Sequence, residues 1–193
     1  MLGVKELINR FRHNRGYGVQ SPNAFHFVTS VLKEKHLYYS YPAIEKQAKS
    51  GRHASYCKRL FRIVNYLRSP NVVMLAPHKA EAFAVTAARR NVPVTLLNTT
   101  GNNLAEVLSD NGTLGLLYVG KCNNYASIVE EAMKYTSSHS AVIVKGIYSS
   151  REKELWWNEI KQNPSVCVTF DLYSMGILFF DKKYKKQHYT LKM

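Results

Sequence analysis

The sequence predicts an α/β fold in which helices cover a mostly parallel sheet. The first third shows helical periodicity, whereas the middle holds four short, almost continuously apolar runs, each followed by a segment that can form a helix. Such runs are typical of strands that are buried on both faces, and their alternation with helices indicates parallel strands joined by right-handed crossovers. Two further apolar runs near the end lie on either side of a tight connection and predict an antiparallel hairpin.

The N-terminal third predicts four helices. Apolar residues at helical spacing predict the first over 4–11. Ser21 followed by Pro22 predicts the start of the second, because a Ser side chain can cap a free amide and Pro is tolerated at the first helical position. We expect this helix to run to about Leu32 and to bury Phe25. The remaining two are predicted over 38–52 and 55–69.

The predicted strands begin after residue 71. The four apolar runs are 72–75, 94–97, 114–119 and 141–144. The hairpin is predicted from 165–173 and 176–181, and we expect it at an edge of the sheet. A last extended piece is predicted over 187–192.

Charge divides the chain into a basic helical cap, 1–68, and an α/β core, 69–193, which we expect to form one structural unit. The net charge is +14, and the cap carries 13 Lys and Arg against 3 Asp and Glu. No segment has the apolar length of a secretory signal or a membrane span, so we expect a cytoplasmic protein. The three cysteines are far apart and the seven histidines show no paired-ligand spacing, so we expect no metal site.

Motifs at both ends of the chain resemble one protein family. GYGVQSPNAFHF opens the second predicted helix, and WWNEIKQNPSVCVTFDLYSMGILFF and KKQHYTL lie near the C-terminus. These segments resemble a small bacterial group of class I S-adenosylmethionine-dependent methyltransferase-like proteins, with N-terminal GxGVxSPxxF and C-terminal IDLYxxGIxFF motifs. The resemblance implies a Rossmann-like methyltransferase fold with an N-terminal helical cap, a mostly parallel sheet and a C-terminal antiparallel hairpin.

The loops that would hold the cofactor in that family have changed here. After the first strand the resemblance implies an acid and glycines, but this chain has Met74 at the acid and Ala76 and Ala80 at the glycines. Pro77 removes a backbone donor from the same loop. His78 also lies in this loop, where an exposed histidine is the simplest interpretation.

The acids implied after the next three strands are also absent. Asn98 stands where an acid would accept both ribose hydroxyls, and Gly120 stands where an aspartate would follow the third strand. Lys145 and Gly146 replace a pair of acids after the fourth. A lysine near the pocket would repel the sulfonium cation of S-adenosylmethionine and cannot bind a metal.

The connection between the second and third strands is short. It spans the 16 residues 98–113, whereas one parallel crossover already takes a dozen or more residues. We therefore expect that one strand and one helix of the usual fold are missing after residue 98.

Together these changes predict a methyltransferase-like protein that has lost cofactor binding and catalysis and acts as a binding or assembly module, with no cofactor. One alternative is an active methyltransferase with an atypical pocket and S-adenosylmethionine as cofactor. Its cofactor-binding residues would be Ala76, Pro77, His78, Ala80, Asn98, Gly120 and Lys145.

The other alternative is an RNA- or polyanion-binding protein that uses the basic cap, in which arginines alternate with tyrosines. The anion-binding candidates are Arg10, Arg12, Arg15, Arg59 and Arg62. As partners we expect an unidentified protein or an anion, with nucleic acid less favoured. We also expect that a homodimer, or else an N-terminal segment of the same chain, covers the exposed edge beside 94–97. Asp171 is interpreted as a structural hydrogen-bonding acid.

Overall fold

The computed structural model describes residues 21–98, 104–110 and 112–191. The helix predicted over 4–11 and three of the anion-binding candidates, Arg10, Arg12 and Arg15, lie outside these ranges. The described helices are α1 (Pro22–Phe27), which continues as a π-helical turn over Val28–Leu32, α2 (Tyr41–Ala48), α3 (Gly51–Leu67), α4 (Lys79–Ala88), α5 (Leu104–Asp110), α6 (Tyr125–Met133) and α7 (Arg151–Ile160). The strands are β1 (Val72–Leu75), β2 (Val94–Leu97), β3 (Leu114–Val119), β4 (Thr136–Lys145), β5 (Val168–Asp171), β6 (Met175–Phe179) and β7 (Gln187–Thr190).

The strands form one sheet in the order β2-β1-β3-β4-β6-β5-β7. β2, β1, β3 and β4 are parallel, β6 is antiparallel to both β4 and β5, and β7 is parallel to β5. The prediction of a mostly parallel sheet with an antiparallel hairpin is confirmed. The hairpin does not form the edge, however, because β7 pairs with β5 outside it.

Helices cover both faces of the sheet. Side chains alternate along β1, so that Val72 and Met74 pack towards α1–α4 whereas Val73 and Leu75 pack towards α5–α7. The N-terminal helices are thus one layer of a three-layer structure. No helix in the described ranges is long and apolar enough to cross a membrane.

The start of α1 agrees with the sequence, but the buried aromatic residue does not. The Ser21 hydroxyl accepts a hydrogen bond from the Ala24 amide, and Pro22 begins the helix. Phe25, predicted to be buried, is 48% exposed, and Phe27 is buried instead. The sheet-facing stripe of this helix runs through Ala24, Phe27, Val28 and Val31, a spacing of three and four residues that leaves position 25 outside.

The segment between β2 and β3 is shortened as predicted. In the described part of 98–113 there is one helix, α5, and no strand. Among the described residues β2 pairs only with β1, and its Leu96 side chain is 58% exposed.

Candidate functional site

The sheet has a crevice where the strand order reverses. The chain passes from β1 through α4 to β2 on one side, and then returns to β3 on the other side of β1. In open α/β sheets, ligands bind at the carboxyl ends of the two strands that flank such a reversal. Here those ends are followed by Ala76, after β1, and by Gly120, after β3.

The backbone after β1 and the backbone after β3 approach each other closely at this crevice. The Gly120 amide donates a hydrogen bond to the Leu75 carbonyl at 2.8 Å, and the Ala76 amide donates to the Leu97 carbonyl at 2.9 Å. A Cβ atom built on Gly120 would lie 2.1 Å from the Ala76 carbonyl oxygen, well inside van der Waals contact. An aspartate, which the sequence resemblance implies at this position, therefore has no room beside the loop.

Ala76 keeps the backbone conformation of a glycine. Its φ angle is 46°, in the left-handed region, where a Cβ atom is strained. The resemblance implies a glycine at this position, so the loop retains the turn although the residue has changed.

Replacing Ala76 with glycine is expected to stabilise the protein by up to about 1 kcal/mol. Relief of the left-handed strain, roughly 1–2 kcal/mol, outweighs the entropy that a glycine adds to the unfolded chain, roughly 0.4–1 kcal/mol. The control is Ala87→Gly within α4, which should cost about 1 kcal/mol. Urea denaturation measures both, and an equal loss of stability in the two variants would contradict the strained turn.

The other residues of the first loop begin helix α4. The His78 Nδ1 atom accepts a hydrogen bond from the Ala80 amide at 3.3 Å, and the imidazole is exposed as expected. Ala80 is fully buried, and Pro77 is half-buried. Asn98 is exposed at the end of β2. These residues and Gly120 lie at the same edge of the sheet, because each follows the carboxyl end of a parallel strand.

A buried ion pair occupies the space beside the crevice. The Glu81 side chain is 0% exposed, and its carboxylate accepts a hydrogen bond from the Lys145 ammonium group at 2.5 Å. It also accepts one from the His78 amide at 2.9 Å and lies 3.3 Å from His53 Nε2. Lys145, expected to repel a sulfonium cation, is therefore neutralised by an acid of the same chain.

Two buried tyrosines extend this network. The Tyr56 and Tyr118 hydroxyl oxygens are 3.0 Å apart and share one hydrogen bond, in which either can be the donor. Burial raises the pKa of Glu81, but the hydrogen bonds from Lys145 and His78 outweigh it, so that the pKa is lowered and the carboxylate is charged.

Glu81 is the residue that the sequence interpretation missed. It lies three residues after His78, the residue that caps α4, and its side chain returns to the His78 amide, which completes a capping box. An acid at this distance from a helix start is a recognisable sequence signal of a capping box. The ion pair with Lys145, 64 positions along the chain, has no local signal.

A second, open cleft of about 840 Å³ lies next to this network. One wall is the face of α3 that carries Arg52, Tyr56 and Arg59, at the helical spacing of four and three residues. The opposite wall is formed by Tyr148, in the loop after β4, and Tyr173, in the turn between β5 and β6. Among the described residues that line the cleft there is no Asp or Glu.

The two described arginines among the anion-binding candidates differ in their contacts. Arg62 donates hydrogen bonds to the Val31 and Leu32 carbonyls, at 2.7 and 2.9 Å, and to the Tyr41 hydroxyl at 3.0 Å. Its guanidinium group therefore ties α3 to the end of the π-helical turn. Arg59 instead lines the cleft, where it has one long hydrogen bond of 3.5 Å to Ser174 Oγ.

Other polar groups have structural roles. Asp171 is buried, and its carboxylate accepts hydrogen bonds from the Tyr148 hydroxyl and the Tyr173 amide. This is the structural role expected for this acid. Within the ranges that the structure describes, no group of three or more His, Cys, Asp or Glu residues could hold a metal ion.

Comparisons with known proteins show the fold. No family profile matches the chain, and no curated protein is similar to it in sequence. The SAH-bound methyltransferase PaMTH1 from Podospora anserina is similar in structure, with a TM-score of 0.56 and 8% identity over 83% of this chain and 96% of that chain. An O-methyltransferase from Bacillus cereus in complex with SAH aligns with a TM-score of 0.46 and 11% identity over 80% of this chain and 96% of that chain.

The strand order and the crevice define an open, doubly wound α/β protein. The similarity to PaMTH1 shows further that this is the Rossmann-like fold of class I S-adenosylmethionine-dependent methyltransferases. At 8% identity the similarity shows the fold alone. A fold does not define an activity, which depends on the residues of the site.

Proposed function

We propose that this chain is a non-catalytic member of the methyltransferase fold, which binds no S-adenosylmethionine and acts as a binding or assembly module. The observation that carries the proposal is the contact between Ala76 and Gly120. Because a Cβ at Gly120 would lie 2.1 Å from the Ala76 carbonyl oxygen, there is no room beside Gly120 even for a methyl group, and we infer that a ligand cannot enter the crevice there.

The charges beside the crevice support the same proposal. Glu81 is committed to Lys145, His53 and the His78 amide, so its carboxylate is not free to accept the hydrogen bonds of a ribose. Separating this pair would leave a charge buried without a partner, at a cost of roughly 3–5 kcal/mol. A cofactor that separated the pair would bind only if its contacts contributed more free energy than that cost.

Titration calorimetry with S-adenosylmethionine and with S-adenosylhomocysteine (SAH) tests the proposal. We expect no heat of binding from either compound up to millimolar concentrations. Micromolar binding of either would contradict it and would favour the alternative, an active methyltransferase with an atypical pocket. In that case methyl transfer from labelled cofactor to an acceptor in a cell lysate should also be detected.

Assembly through β2 is part of the proposal. Among the described residues this strand pairs on one side only, and its Leu96 is largely exposed. Edge strands carry unpaired backbone groups that another chain can pair with. A homodimer that covers this edge stays a prediction.

A further inference from the structure

We propose that the cleft between α3 and the tyrosines of the opposite wall binds a small molecule that carries an anionic group on a flat ring. The inference deepens the proposed function, because it names the ligand of the binding module. It rests on the cleft rather than on the closed crevice. The volume of the cleft, about 840 Å³, is within the usual range for small-molecule sites, roughly 300–1,000 Å³.

The cationic wall of the cleft lacks the acids that would neutralise it. Arg52 and Arg59 are seven residues apart on one face of α3, about 10 Å along the helix axis. Lys145 also lines the cleft, with its charge already balanced by Glu81. The N-terminal turn of the 17-residue helix α3 also opens here, because Gly51 and Arg52 line the cleft, and its partial positive charge adds to the field.

Arg59 has hydrogen-bonding capacity that the described chain leaves unused. Its Nε atom is buried and has no acceptor among the described residues. Burial, and then the neighbouring Arg62, lower the pKa of Arg59, which means that its charge is held at a cost to the folded state. Arg59 lines the cleft, and a planar guanidinium group is suited to a carboxylate or phosphate, which its nitrogens can bind with two parallel hydrogen bonds.

The aromatic wall explains the preference for a ring. Tyr173 is 50% exposed and stacks on Tyr148, with ring centroids 5.4 Å apart and an interplanar angle of 22°. Its φ angle is 67°, a conformation that is strained for a bulky residue. Strained residues collect at binding sites, where the surrounding structure holds them for function. The exposed face of Tyr173 can stack on the ring of a ligand.

Titration calorimetry with four probes tests this inference. Phenyl phosphate and benzoate carry an anion on a ring, inorganic phosphate lacks the ring, and phenol lacks the charge. We expect saturable binding of phenyl phosphate or benzoate in the millimolar range or tighter, and weaker binding of inorganic phosphate and phenol. The ratio of the first two affinities distinguishes a phosphate ligand from a carboxylate ligand. No saturable binding of either ring-bearing anion would overturn the inference.

Variants assign the binding to the cleft. Arg59→Gln is expected to weaken binding by about 10-fold or more, as expected for the loss of charge-assisted hydrogen bonds. It should also raise the melting temperature, because a partly buried cation with one long hydrogen bond is removed. The control is Arg90→Gln, which removes the same charge from an exposed loop after α4, at the opposite end of the sheet. This variant should change neither the affinity nor the melting temperature. Arg52→Gln, at an exposed position, provides a second test that leaves the fold intact.

The contribution of the ring is tested with Tyr173→Gly, because glycine adopts the left-handed conformation without strain. Phenyl phosphate should then bind no more tightly than inorganic phosphate does. Wild-type affinity in both Arg59→Gln and Arg52→Gln would overturn the inference. The two proposals can be tested separately. Binding of SAH would contradict the proposal that the crevice is closed, whereas absence of ring-anion binding would contradict the proposal that the cleft is a ligand site.

Discussion

Replacing Gly120 with alanine is expected to lower the free energy of unfolding by about 3 kcal/mol, at the upper end of what overpacking costs. The new Cβ would meet three backbone atoms, at 2.1 Å, 2.8 Å and 2.9 Å, which belong to Ala76 and Leu75. Backbone cannot rotate away as a flexible side chain can, so the loop after β1 must move as a unit. Urea denaturation followed by circular dichroism measures the loss.

The matched control for this substitution is Gly51→Ala at the start of α3. A Cβ at Gly51 meets nothing within 4 Å, so the substitution should leave stability unchanged or raise it by up to about 1 kcal/mol. If Gly120→Ala also left stability unchanged, the loop after β1 would be free to move, and the crevice would not be closed in the way described.

The second large effect concerns the buried pair of Glu81 and Lys145. Lys145→Met leaves the fully buried carboxylate without its ammonium partner, and we expect a loss of about 3 kcal/mol. The double variant Glu81→Gln with Lys145→Met should lose less than the sum of the two single variants, with a coupling of about 1–3 kcal/mol. Additive losses would contradict a direct ion pair.

An exposed pair of the same chain is the control for that cycle. The Lys134 Nζ atom lies 2.5 Å from the Glu131 Oε2 atom, and the two side chains are 68% and 31% exposed. Glu131→Gln should change stability by no more than about 0.5 kcal/mol, because solvent screens exposed pairs. The contrast separates the effect of burial from that of charge.

Acid pH gives an independent measure of the pair. Burial raises the pKa of Glu81, but hydrogen bonds from Lys145 and His78 outweigh it, so the folded-state pKa lies below its ordinary value of 4.5. A carboxylate with a depressed pKa stabilises the fold at pH values above the ordinary one, and this contribution is lost as the pH falls through the folded-state pKa. The stability difference between the wild type and Glu81→Gln should therefore be constant near neutral pH and shrink below about pH 4.5.

The sheet could be predicted from sequence because its signals are local. The apolar runs of β1, of β3 and of residues 141–144 in β4 are buried on both faces, and Ser21 with Pro22 begins a helix by contacts within one turn. The short segment after β2 also allowed one strand and one helix to be predicted as missing, since chain length alone limits what can fit.

The features that could not be predicted from the sequence depend on contacts between distant parts of the chain. The position of the hairpin inside the sheet is set by β7, a strand of four residues whose pairing with β5 has no signal of its own. Glu81 looks like any acid in a first helical turn, and it is buried because Lys145, from β4, reaches it. The cleft likewise depends on where α3 packs against the turn that holds Tyr173.

The most direct test of the central claim, that the chain's own backbone closes the cofactor crevice, is a titration of isotope-labelled protein with SAH, followed through the amide resonances of Ala76, Ala80 and Gly120. We predict that these resonances do not move at millimolar SAH. Saturable shifts confined to these three amides would contradict the claim, because they would show that the ligand enters between the ends of β1 and β3.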